Sequence, residues 1–175
     1  ALTFAAAVFG IIMISSAGGE NGGKYVMVQS GAFVLGTIVV CAMMFLDYEY
    51  LSRISLYLSG VTLLLLVLVL IPGIGKVQGG ARSWFMFGSL GFQPAEIAKI
   101  VFIILYARLL SEHESSINKP SNIAKLIGCA ALPAALILLQ PDFGTGAVFI
   151  FTAVIMLFIA GIGRRYIIGG IAGVA

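Results

Sequence analysis

Apolar residues fill this chain in long runs, and the polar residues gather in short clusters between them. Six runs are long enough, or nearly so, to form a membrane-crossing helix, which needs about 20 residues. They cover residues 1–17, 25–46, 54–71, 94–110, 123–139 and 144–161. A seventh begins at Tyr166 and continues to Ala175. None shows the alternation over about ten residues that marks a strand of an outer-membrane barrel. The pattern predicts an all-α fold, a polytopic transmembrane helical bundle, forming a single transmembrane domain over residues 1–175. Both ends lie in apolar sequence, so the chain is read as part of a longer protein. The first run, followed by Ser-Ser-Ala-Gly-Gly, has the outline of a signal peptide but lacks a positive n-region.

Composition sharpens the class. Hydrophobic residues make up 61 % of the 175 residues and charged residues 10 %, and the mean hydropathy is +1.12. A soluble domain carries about a quarter charged residues. The formal net charge of +3 comes from basic residues scattered through short loops, which indicates no nucleic-acid partner. Cys41 and Cys129 both fall in apolar runs and read as small packing residues. With a single histidine, His113, they make no convincing zinc site.

Lysine and arginine set the expected orientation. The loops after runs one, three and five carry Lys24, Lys76 and Arg82. Those after runs two, four and six carry Arg53, Arg108, Lys119, Lys125, Arg164 and Arg165. The richer set is expected on the cytoplasmic side, with the N-terminus inside. Residues 79–100 and the turn Gln140-Pro141-Asp142 then share the opposite side. Their sharing a side follows from the parity of the runs alone.

The polar residues on that side each have two readings. Glu96 and Lys99, three apart, share a helix face that Tyr106 continues. Charges within a membrane helix usually face a bundle interior or a water-filled cavity, paired with one another. A purely structural account also works. Pro94 suits the first helical position, Glu96 then complements the helix dipole, and Lys99 snorkels toward the interface. Asp142 either caps the sixth helix or joins Glu96 and Lys99 in one charged cluster. Arg82 and Trp84, with Phe85 and Phe87, either form an aromatic belt that touches lipid phosphate non-specifically or an interfacial hairpin or short helix that grips an anionic head. Arginine suits the second role because its planar fork donates two hydrogen bonds to one phosphate. The clusters Asp47, Glu49, Arg53 and Glu112, His113, Glu114 read as solvated turns. Gly128, Ala130, Ala131, Ala134 and Ala135 suggest a close helix–helix contact, and Pro133 a kink. Together these groups suggest recognition of an amphiphile with an anionic head.

The wording of two motifs goes further. "GGARSW…GFQPAEIAK", followed roughly forty residues later by "LLQPDFGTG", closely resembles the SEDS family of bacterial cell-wall proteins, those of shape, elongation, division and sporulation. The likeness covers nearly the whole chain, "DYEYLSR" included. It implies a bundle of ten transmembrane helices, of which this chain matches about the first six and a half. It implies a multi-pass protein of the bacterial cytoplasmic membrane. The implied activity is that of a peptidoglycan glycosyltransferase, which polymerises lipid II at the outer face of that membrane. Lipid II is a disaccharide-pentapeptide on undecaprenyl diphosphate. The implied partner is a class B penicillin-binding protein. Glu96, Lys99 and Asp142 would line a central cavity, and Arg82 and Trp84 would belong to the first large extracytoplasmic loop. Gln93, Pro94, Gln140, Pro141 and Gly144 would be the structural residues of the two motifs. The family's proposed catalytic Asp lies in its second half, and no residue here matches it, Asp142 included. The chain alone is therefore expected to lack polymerase activity. Ala95 stands where the family more often has Ser. "QPDFGT" and "DYEYL" lean toward the elongation branch.

The implied reaction is attack of a sugar 4-hydroxyl on the anomeric carbon of the growing strand, with the lipid diphosphate leaving. A carboxylate base would take the hydroxyl proton. Lys99, Arg82 or a divalent cation would stabilise the departing charge. Two other classes compete: a flippase for lipid-linked sugars, and a membrane scaffold for cell-wall enzymes. The polar groups gather toward one side, whereas transport sites lie near the midplane.

Orientation is directly measurable. Single cysteines at positions 53, 82, 142 and 164, in a cysteine-free background, are probed with an impermeant thiol reagent on intact cells. Labelling at 82 and 142 alone is expected. Labelling at 53 or 164 without 82 or 142 would reverse the topology.

Overall fold

The computed structural model describes residues 2–17, 19, 22–88, 90–163 and 166. They fall into two compact units, Ala1–Asp47 and Tyr48–Ala175. The first is a pair of helices, α1 (Leu2–Ala17) and α2 (Gly22–Met44). Phe4 meets Phe33 edge-to-face across the pair, ring centroids 5.3 Å apart.

The second unit begins with α3 (Tyr48–Leu70). Three short strands follow, β1 (Lys76–Gln78), β2 (Ala81–Phe87) and β3 (Leu90–Phe92). Then come α4 (Pro94–Glu112), a single 3-10 turn at Glu114–Ser116, α5 (Pro120–Leu138) and α6 (Phe143–Ile159). The six helices match the six apolar runs. By length and hydropathy α2, α3 and α5 can each cross a bilayer, and α1 and α6 are shorter apolar helices. Helix α4 is as long as α5, 19 residues, but carries Glu96, Lys99, Arg108 and Glu112.

Helix ends follow local chemistry. Pro94 and Pro120 open α4 and α5, where a missing N–H costs nothing. Helix α3 starts six residues earlier than its apolar run, because "YEYLSR" continues the helix into the polar layer. Arg108 likewise lies inside α4 rather than in a loop. Its Nε donates to Glu112 Oε1 at 2.7 Å, and its guanidinium also donates to the Ser52 carbonyl at 2.9 Å. That contact joins the late part of α4 to the early part of α3, so the two run antiparallel.

The core lies between α3, α4, α5 and α6. Leu66, Ala98, Phe102, Tyr106, Leu126, Ile137 and Phe149 are buried in one cluster. Phe102 packs on both Tyr106 and Phe149, with centroids 4.9 and 5.3 Å apart. Many apolar side chains point outward, among them Ile100, Ile103, Phe151 and Phe158. In water such a surface would aggregate; on helices of this length it is the lipid-facing surface of a membrane bundle.

One expectation for α5 changes. The small residues do not act together: Ala134 is buried and Ala130 packs on the core, while Gly128, Ala131 and Ala135 are exposed. The residues that touch other helices are those on one helical face. Pro133 lies inside α5, whose helix continues on both sides of it. The run from Tyr166 to Ala175 lies outside the described residues except at Tyr166, as do Arg164 and Arg165.

The largest departure is the antiparallel sheet β1-β2-β3, where the sequence suggested a Gly-rich loop with a hairpin or short helix. Gln78 faces Ala81 across a two-residue turn, Gly79-Gly80, in which both residues have positive φ, +60° and +89°. Hairpins favour such turns because their twist matches the strands, and only glycine adopts them without strain. The sheet is held close to α3. A Cβ on Gly75 would overlap the Val69 carbonyl of that helix. Substituting Gly75→Ala therefore forces backbone apart and is expected to destabilise by about 2 kcal/mol or more. In the full-length protein in detergent this reads as a lowered thermal midpoint, while Gly79→Asn, at an open turn position, shifts it less.

Candidate functional site

One turn, Gln140 to Asp142, lies at the meeting point of α3, β2 and α4. Gln140 is 1 % exposed. Its Nε2 donates to the Leu66 carbonyl of α3 at 3.1 Å. Its own carbonyl accepts from the Arg82 backbone N–H of β2 at 3.1 Å. Asp142 does two things. Its Oδ1 accepts from the Thr145 N–H at 3.1 Å and so caps α6. Its Oδ2 accepts from Gln93 Nε2 at 2.8 Å. Gln93 is the residue between β3 and α4. The two motifs, far apart in sequence, are thus joined by a backbone and a side-chain hydrogen bond. The parity argument placed them on one side; the structure puts them in contact.

The structural reading of Asp142 is therefore correct as far as the cap goes. The expected cluster is not made as drawn. Glu96 and Lys99 pair directly, Nζ to Oε1 at 2.8 Å. Among the described residues no ion pair links Lys99 to Asp142; neutral Gln93 takes that carboxylate instead. Spacing on α4 explains this outcome. Gln93 sits at the N-cap and reaches across to the start of α6, whereas Lys99 is nearly two turns further along and folds back on Glu96.

Arg82 and Trp84 lie on β2, either side of Ser83, which is 1 % exposed. Lys76 faces Trp84 but Val77 faces Arg82, so β2 carries one extra residue here. Such a bulge re-aims the neighbouring side chains. The indole of Trp84 lies over Gly91 of β3, where a Cβ would come within 3.0 Å of the ring. Phe85 and Phe92 stack nearby, with centroids 6.3 Å apart. Among the described residues the Arg82 guanidinium makes no ion pair or hydrogen bond; only its backbone is engaged. A half-buried guanidinium with no partner among the described residues, two positions from an indole on the same strand and at the same end of the unit as a Glu–Lys pair, can receive an anion.

The remaining motif residues divide. Pro94 is buried at the start of α4. Gly144 has open space around it, whereas a Cβ on Gly146 would press on Leu138 at 2.8 Å. The second glycine of "GTG", which the sequence reading passed over, is thus the one packed against a neighbouring side chain. Cys129 packs on the core and Cys41 is exposed, both as free thiols. Among the described residues no three His, Cys, Asp or Glu side chains converge to hold a metal ion. A cavity of about 190 Å3 lies elsewhere, between α4, α5 and α6, lined by Tyr106, Ala130, Ile150 and Leu157 among others. None of Arg82, Trp84, Glu96, Lys99 or Asp142 lines it.

The chain is similar in sequence and fold to known proteins. The whole chain, residues 1–175, matches a family model labelled FTSW_RODA_SPOVE and described as "Cell cycle protein". Stage V sporulation protein E of Bacillus subtilis is 37 % identical over 128 residues, 73 % of this chain and 35 % of that protein. A probable peptidoglycan glycosyltransferase FtsW of Legionella pneumophila is 30 % identical over 174 residues, 95 % of this chain and 44 % of that protein. Among solved structures, a variant of the rod shape determining protein RodA of Thermus thermophilus superposes with a TM-score of 0.83 at 31 % identity, over 98 % of this chain and 56 % of that one. A chain from a study titled "Structural coordination of polymerization and crosslinking by a peptidoglycan synthase complex" gives 0.85 at 31 % identity, over 99 % and 50 %. The chain thus spans about half, or less, of the length of these relatives. FtsW relatives match at 30 to 43 % identity, stage V sporulation protein E at 37 % and RodA at 31 %, over differing lengths, so the branches are not separated. The family model matches the chain from residue 1 to residue 175, and the chain superposes on RodA over nearly all of its length: the protein belongs to the FtsW/RodA/SpoVE family, the SEDS proteins, of the bacterial inner membrane.

Proposed function

We propose that the protein, at full length, is a peptidoglycan glycosyltransferase that polymerises lipid II at the outer face of the cytoplasmic membrane, with its N-terminus inside. The observation that carries this reading is that Arg82, whose guanidinium has no partner among the described residues, and Trp84 share the strand β2, at the same end of the bundle as the Glu96–Lys99 pair. Arg82 is suited to the diphosphate and Trp84 to a sugar face. Lys99, held by Glu96, is placed to meet charge on the leaving group. The glycosyltransferase names of FtsW relatives support the same chemistry. The catalytic carboxylate is assigned to the half of the protein beyond this chain. A class B penicillin-binding protein is the proposed partner, in keeping with a relative solved within a synthase complex.

Purified full-length protein supplied with lipid II is expected to make glycan strands. Movement of lipid between leaflets without polymer would point to a flippase, and neither outcome to a scaffold. In this assay Arg82→Lys keeps the charge but loses the bidentate fork, so polymerisation is expected to fall about tenfold or more. Trp84→Ala is expected to cost more than Trp84→Phe. Unchanged turnover in both Arg82→Lys and Trp84→Ala would reduce these residues to belt anchors.

The Glu96–Lys99 pair separates structural from functional charge. Side chains 57 % and 27 % exposed form a pair that contributes about 1 kcal/mol or less to stability. Glu96→Gln and Lys99→Met are therefore expected to leave the thermal midpoint within about 4 °C of the parent. Polymerisation by each is nonetheless expected to drop tenfold or more. Full activity in both would leave the pair a surface ion pair and nothing else.

A further inference from the structure

We propose that Asp142 is a positioning residue for this reaction: acting through Gln93, it fixes the start of α4, and with it Glu96 and Lys99, relative to the strand that carries Arg82 and Trp84. The inference rests on the proposed polymerase reading. It concerns how the site is held rather than what it binds.

Gln93 is the pivot between sheet and helix. It directly follows Phe92, which pairs with Phe85 of β2, and directly precedes Pro94, the first residue of α4. As the N-cap of α4 it makes no capping hydrogen bond with its own side chain. That side chain is instead spent on Asp142, 2.8 Å away. The Gln93 carbonyl accepts from the Glu96 N–H at 3.1 Å, so displacing Gln93 displaces the backbone that carries Glu96. On the other side the same turn holds β2 through the Gln140 carbonyl and the Arg82 N–H.

Asp142 suits this task chemically. Both of its oxygens are used, one on the N-terminus of α6 and one on Gln93. Among the described residues it has no cationic partner, so its charge is met by two neutral donors and the positive end of α6. A carboxylate only accepts hydrogen bonds. The bond to Gln93 therefore has one direction, and exchanging donor and acceptor tests it.

The experiment uses full-length enzyme and lipid II, with thermal midpoints measured beside polymerisation. Gln93→Glu sets two carboxylates against each other and is expected to cut polymerisation about tenfold or more at pH 7.5. Facing carboxylates share a proton, and one of the pair titrates at a raised pKa. Activity of Gln93→Glu is thus expected to recover as pH falls toward about 5.5 and to be lost again as it rises, a trend absent from the parent. Because the same repulsion also lowers stability as pH rises, activity is taken per folded molecule at each pH; a role in folding alone would leave that quantity at the parent's level. In Asp142→Asn the cap survives and the Gln93 amide can turn round, so the loss is expected to stay within about threefold. The exchanged pair, Gln93→Glu with Asp142→Asn, restores one hydrogen bond with its roles reversed. It is expected to return to within about threefold of the parent at pH 7.5, and to regain the thermal midpoint that Gln93→Glu loses. If Asp142→Asn alone abolishes polymerisation while folded, the Asp142 carboxylate acts directly and the positioning role is overturned. If the exchanged pair is as defective as Gln93→Glu, the coupling does not exist. Should the parent make no polymer, the polymerase reading fails. The midpoints then still decide whether Gln93 and Asp142 are coupled, and their failure to recover in the exchanged pair would sink that too.

Discussion

One end of the second unit depends on a short turn that is held by buried polar contacts. Gln140 is almost completely enclosed, and an enclosed amide left without partners would cost several kcal/mol in a bilayer-like interior. Its donor is met by a carbonyl of α3 and its backbone by β2. Its Oε1, like the Tyr106 hydroxyl, has no partner among the described residues. Two residues on, Asp142 closes the arrangement by accepting from α6 and from Gln93. Four elements distant in sequence are thereby tied at one point.

That arrangement suits the solvent. Between helices in lipid, apolar burial provides little net drive, because acyl chains are as apolar as leucine. Shape and hydrogen bonding must then fix relative position. Here Phe102, Tyr106 and Phe149 interlock in the middle of the bundle. Arg108 ties α4 to α3 at one end, and the Gln140–Asp142 turn does so at the other. The sheet is a consequence of the same constraint. Its backbone groups pair with one another, and Gly75 brings it against the end of α3 where any side chain would collide.

The chemistry follows from what is and is not paired. Glu96 satisfies Lys99, Gln93 satisfies Asp142, and Arg82 keeps its guanidinium free among the described residues while its backbone is anchored. A charge held on a fixed backbone with its donors unspent suits the anion-binding role proposed for Arg82. The bulge at Ser83 and the close approach of Trp84 to Gly91 set the directions in which Arg82 and Trp84 are presented.

The sequence by itself determined the helices, the membrane class and the family. Apolar length is a local property, and every apolar run from Ala1 to Gly161 became a helix. Parity of those runs also put the two Gln-Pro motifs on one side, and Pro94 at the start of α4 and Asp142 as a cap are equally local. Tertiary structure alone decided three things. It built a sheet from residues 76–92, although strands of three to seven residues give too short a pattern to read and depend on partners for stability. It placed the packed glycine at Gly146 rather than Gly144, since only the neighbouring helix, through Leu138, distinguishes them. And it gave Asp142 to Gln93 instead of Lys99. Spacing along α4 shows that Glu96 and Lys99 share a face. It cannot show which residue of α4 the start of α6 will meet, because that depends on how the two helices cross.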